Sequence, residues 1–177
     1  MNYFEFYGIP EGVHIDEAAV KRKFYQLSKE YHPDFYINDT AEKQQEILEL
    51  STVNNKAFQV LSNSKKRLEH ILQLNNQIAE GDKYQLPQSF LMEMMEVNET
   101  LMELEFEPDE QVLVNTLKQV DSIEDELNVE LNSLTKLYDK EENSSQKELF
   151  LLKIKDLYYR QKYLLRIRES LNTFAHR

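Results

Sequence analysis

The stretch Val20-Lys21-Arg22-Lys23-Phe24-Tyr25-Gln26-Leu27-Ser28-Lys29-Glu30-Tyr31-His32-Pro33-Asp34 decides the fold of the first half of the chain. Val20, Phe24, Leu27 and Tyr31 recur at spacings of four, three and four, which places them on one face of a helix. Asp16-Glu17 supplies a helix-opening signal before this run, and Pro33 stops it, because proline has no N–H to donate and disfavours helix in its predecessor. Downstream, Ile47, Leu50, Val53, Ala57, Val60 and Leu61 share the face of a second amphipathic helix. The two are joined by a loop from His32 to about Thr40, so the spacing predicts an antiparallel helical hairpin. Tyr3, Phe4, Ile9 and Ile15 are expected to close its core. Ser62-Asn63-Ser64 then sets off a short helix ending near Leu74.

Asn75 to Asp82 is polar and contains Gly81, and Leu86-Pro87 follows. This predicts a linker at 76–87 between domains at 1–75 and 88–177. Three longer amphipathic runs lie beyond it, at about Gln88 to Glu105, Asp109 to Tyr138 and Gln146 to Leu171. They are separated by Phe106-Glu107-Pro108 and by the polar stretch Asp139 to Ser145. Pro108 suits a first helical position. The sequence therefore predicts an all-α protein, a helical hairpin followed by a three-helix bundle. The 177 residues contain only 3 Gly and 4 Pro, too few for a turn-rich sheet protein.

With no Cys, the chain has no disulfide, thiolate metal site or cysteine nucleophile, and four scattered His make a metal centre unexpected. The formal charge is −11, which disfavours nucleic acid and anionic membranes as partners. The excess is unequally shared: residues 1–75 carry 9 basic and 11 acidic side chains, and residues 76–177 carry 12 and 21. No apolar run approaches the ~18 residues of a membrane span. The N-terminus carries neither a basic apolar leader nor an Arg-rich one, so a cytoplasmic protein is expected.

His32-Pro33-Asp34 sits at the end of a basic helix, in the loop of the hairpin. Alone, the tripeptide is also what a helix stop followed by a turn requires. Its setting goes further. Tyr3-Phe4-Glu5-Phe6-Tyr7-Gly8-Ile9, the basic helix, Tyr31-His32-Pro33-Asp34 and Asn54-Asn55-Lys56-Ala57-Phe58-Gln59-Val60-Leu61 follow in order. Together they resemble a J-domain. That resemblance implies a co-chaperone that docks on a DnaK-type chaperone and stimulates its ATP hydrolysis through His32, Pro33 and Asp34. Lys21, Lys29 and Arg22 would form the positive docking surface. Phe35-Tyr36 departs from the family, in which a basic residue commonly follows the Asp.

In the second half, Phe90, Met94, Val97, Leu101 and Leu104 recur at four, three, four and three, sufficient for the core stripe of a bundle helix. Leu91, Met92, Met95 and Met102 are then surplus apolar groups, mixed with Glu96, Glu99 and Glu103. No Lys or Arg occurs between Lys83 and Lys118. The surplus residues either widen the buried face or form a methionine-rich protein-binding surface in a negative field.

Phe90-Leu91-Met92-Glu93 is similar to a signature of HscB-type co-chaperones, and the glycine-rich and zinc modules of other J-proteins are absent. This second resemblance covers essentially the whole chain and implies a bacterial-type adaptor in iron-sulfur cluster assembly, without enzymatic activity or cofactor of its own. It would deliver an IscU-like scaffold protein to an HscA-like chaperone, as a monomer or weak dimer. The resemblance carries Leu91, Met92, Met95, Glu96, Glu99 and Glu103 over as scaffold contacts, with Met95 where leucine is more usual. Lys162-Tyr163-Leu164 adds Tyr163. Two other readings stay open at this stage: a J-domain co-chaperone with a different client, and a small hydrolase using His32 and Asp34 as an acid-base pair. The hydrolase lacks a nucleophile or oxyanion loop, and proline is expected to hold its two side chains apart.

Overall fold

The structure, a computed structural model, describes residues 1–175. It consists of seven α-helices and one 3-10 turn, with no strand among the described residues. The chain divides into two compact units, Met1–Ile78 and a second beginning at Ala79. Among the described residues, no helix is long and apolar enough to cross a membrane.

The first unit contains α1 (Tyr3–Tyr7), α2 (Glu17–Glu30), a 3-10 turn (Pro33–Tyr36), α3 (Ala41–Leu61) and α4 (Ser64–Leu74). Each helix begins on a polar side chain that accepts from a free backbone N–H: Asn2, Asp16, Thr40 and Asn63. Gly8 closes α1 at φ +63°, a left-handed position that favours glycine. The hairpin of α2 and α3 forms as its apolar faces require, with Phe24 stacked on Phe58 at 4.3 Å between ring centroids.

Polar residues join these helices. Asn54 of α3 is buried; its amide nitrogen donates to the Phe24 carbonyl (3.2 Å) and Ser28 Oγ (3.1 Å) of α2. The Tyr7 hydroxyl of α1 donates to Asn54 Oδ1 at 2.9 Å and lies 3.1 Å from its carbonyl oxygen, and burial pushes the phenol pKa up. Arg67 of α4 is likewise buried, donating to the carbonyls of Val13 and Leu61 and lying 3.6 Å from Glu17. His70 stacks against Tyr3, and its Nε2 accepts from the Tyr3 N–H at 3.2 Å. Burial lowers its pKa, assisted by the chain's amino terminus. The core closes differently from the sequence expectation: Phe4 is buried, but so are Tyr7 and Val13, whereas Tyr3, Ile9 and Ile15 are only half-buried.

The second unit contains α5 (Gln88–Phe106), α6 (Glu110–Lys140) and α7 (Ser144–Ala175). Its core joins Phe90, Met94 and Val97 of α5 to Val120, Ile123 and Leu127 of α6 and Leu157, Leu164 and Leu171 of α7. Arg168 of α7 bridges Asp121 (2.6 Å) and Glu124 (2.5 Å) of α6. Two boundaries correct the sequence reading. Pro108 lies outside α6, whose cap is Asp109, accepting from the N–H groups of Gln111 and Val112. Helix also extends into the polar stretch 139–145, leaving a three-residue connection in which Asn143 Oδ1 accepts from Gln146 N–H.

Asn54→Ala removes both bonds to α2 while leaving Tyr7 its carbonyl partner, so it is expected to destabilise the first unit by about 1–3 kcal/mol. Urea denaturation, followed by a probe in the first unit such as Tyr7 side-chain resonances, measures this.

Candidate functional site

Two sets of side chains carry the candidate chemistry, one in each unit. In the first, α2 ends at Glu30 and the chain turns through Pro33–Tyr36. His32 caps this turn: its Nδ1 accepts from the Asp34 N–H at 3.3 Å. The neutral ring therefore carries its proton on Nε2. Both His32 and Asp34 side chains are exposed, and Nδ1 lies 3.7 Å from Asp34 Oδ2. This corrects the expectation that proline separates them. The turn sets the Nδ1 edge of the ring beside a carboxylate in open solvent, an arrangement accessible to another molecule and lacking the enclosure of a hydrolytic centre.

The turn is braced from both helices. Tyr36 donates its hydroxyl proton to the Glu30 carbonyl at 2.8 Å, and Gln44 Nε2 donates to the carbonyls of Ile37 and Asp39, each at 3.0 Å. Phe35, which follows Asp34, is exposed and lies edge-on to His32.

On α2, Lys21, Arg22 and Lys29 are exposed and fall within a sector of about 100°, given ~100° per residue. Arg22 also pairs with Asp16 at 3.3 Å. Tyr25 stands exposed within the same sector, a residue that hydropathy reading passes over because it belongs to neither the apolar nor the charged pattern.

In the second unit, α5 spends Phe90, Met94, Val97 and Leu104 on the core, with Leu101 packed against it. The three surplus methionines do not widen that face. Met92, Met95 and Met102 are 64%, 58% and 62% exposed, and Leu91 is half-buried. Glu96, Glu99 and Glu103 are exposed beside them. Tyr163 of α7 is more committed than the others: its hydroxyl accepts from Asn98 Nδ2 at 2.8 Å and its ring lies edge-on to Phe90. It joins α7 to α5 behind the methionines. Among the described residues, no group of three or more His, Asp or Glu is placed to hold a metal ion.

Comparison with known proteins agrees with this fold. A family model described as the DnaJ domain matches residues 2–70, and one described as the HSCB C-terminal oligomerisation domain matches residues 86–172. Among solved structures, chaperone HscB from Vibrio cholerae is 24% identical, with 99% of this chain and 98% of that chain covered and a TM-score of 0.66. The crystal structure of human co-chaperone protein HscB is 22% identical, with coverage of 98% and 81% and a TM-score of 0.70.

The two methionine classes on α5 should separate by stability. Met94→Ala empties a fully buried site and is expected to cost about 2–5 kcal/mol. Met92→Ala or Met95→Ala should stay within ~0.5 kcal/mol of the parent in chemical denaturation.

Proposed function

Because the chain belongs to the HscB-type J-domain co-chaperones, we propose that it couples an HscA-like, DnaK-type chaperone to an IscU-like scaffold protein during iron-sulfur cluster assembly. The exposed His32-Pro33-Asp34 turn acts on the chaperone. Lys21, Arg22 and Lys29 steer its approach, since a cluster of one sign raises encounter rates with an acidic partner even where each ion pair contributes little. ATP hydrolysis occurs in the chaperone, and the chain supplies only the contact that stimulates it.

The scaffold docks on α5. The observation that carries this reading is that Met92 and Met95 stand in solvent on a helix whose core stripe is already complete. Such residues contribute nothing to folding in isolation and fit a protein partner through their flexible thioethers. Glu96, Glu99 and Glu103 select a basic rim on that partner, and Leu91 supports the edge. Tyr163 acts from behind, by fixing α5 through Asn98. The cluster travels as the scaffold's cargo.

Steady-state ATP hydrolysis by the chaperone in the presence of scaffold should rise when the parent chain is added. His32→Gln should abolish that rise, because glutamine has no rigid ring to cap the Asp34 N–H through Nδ1 while presenting Nε2–H to the chaperone. Equal stimulation by His32→Gln contradicts the assigned role of the turn.

A further inference from the structure

The exposed side of α5 continues beyond the residues that the scaffold reading uses. Met92, Met95, Glu99, Met102 and Phe106 are spaced three, four, three and four, a narrow seam of the kind that packs lengthwise against an elongated partner. At ~100° per residue this seam lies nearly opposite the core stripe of Phe90, Met94, Val97 and Leu104. Its last two apolar members are not spent inside the chain: Met102 is 62% exposed and Phe106, the final residue of the helix, is 87% exposed. The fourteen helical rises from Met92 to Phe106 make the seam ~21 Å long.

Charge decides what can cover it. Glu96 and Glu103, seven residues apart, flank the same side of the seam, and Glu99 interrupts its centre. No Lys or Arg lies between Lys83 and Lys118 to compensate them. A second copy of α5 laid along the first would set these carboxylates against one another, which like-charge repulsion opposes. A partner edged with Lys or Arg meets no such obstacle.

We infer that the partner surface is an elongated apolar ridge of about four helical turns, edged with Lys or Arg, and that Met102 and Phe106 anchor its far end. This rests on the scaffold reading and extends the apolar contacts of that site from Leu91, Met92 and Met95 to the C-terminus of α5. Phe106 is the stronger anchor, since an aromatic side chain offers large contact area with only two torsions to fix.

The test is titration of the scaffold protein into the parent and into Met102→Ser/Phe106→Ser, with helicity checked by circular dichroism. Both residues are exposed, so the variant should fold as the parent does. The inference predicts an increase in Kd of at least about tenfold for the variant, the loss expected for anchor residues. It also predicts that Glu96→Gln/Glu103→Gln weakens binding at low salt and loses that difference at high salt. Parent-like affinity of the Met102/Phe106 variant overturns the inference while leaving the scaffold reading intact. Failure of the parent to bind scaffold overturns both. Concentration-dependent dimerisation of the parent, abolished in the same variant by sedimentation, assigns the seam to a second copy and also overturns it.

Discussion

The turn carrying His32 has no core of its own, and its position depends on how α2 is fixed against α3. The buried amide of Asn54 makes that connection, reaching Phe24 and Ser28 on α2 and receiving the Tyr7 hydroxyl from α1. A polar group in this place is costly if unpartnered, so it favours one register of the hairpin over neighbouring ones. With the register set, Tyr36 and Gln44 can brace the turn from either side, and His32 and Asp34 are held at the surface without being buried. A turn of three residues thus draws its geometry from helices tens of residues away in sequence.

The second unit meets a simpler requirement. A bundle helix needs one apolar stripe, and α5 has two on nearly opposite sides. The stripe that packs with α6 and α7 frees the other for solvent, and Asn98 to Tyr163 keeps the helix from rolling between them. Methionine on the outward stripe is flexible and polarisable, and in the proposed function that adaptability serves a partner, with the neighbouring glutamates opposing a second copy laid along it.

Apolar periodicity made much of this legible. The hairpin, the bundle and the core stripe of α5 follow from spacings of three and four alone. Whether Met92 and Met95 were core or surface did not, because hydropathy shows how many apolar residues a helix has and not how many its neighbours can cover. Asn54, Arg67 and His70 were illegible for the converse reason: polar residues enter a core through specific partners, and those partners lie up to 67 residues away in sequence. The turn geometry was misread locally. Proline fixes one backbone angle, but the 3-10 turn that follows it brings the side chains on either side together. Residues 139–145 read as a loop because they are polar, yet only 141–143 lie outside helix, since polar residues extend a helix readily when its other face is packed.

In the proposed function one chain carries two separately built surfaces, one acting on a chaperone and the other gathering a scaffold. The most direct measurement is chaperone ATP hydrolysis at fixed chain concentration as scaffold is titrated, comparing the parent with Leu91→Ala/Met92→Ala. Both should reach the same plateau rate, with the scaffold concentration at half-maximum raised about tenfold in the variant, as for loss of contact residues in an interface. An unchanged midpoint, or a lowered plateau that excess scaffold does not restore, would contradict it.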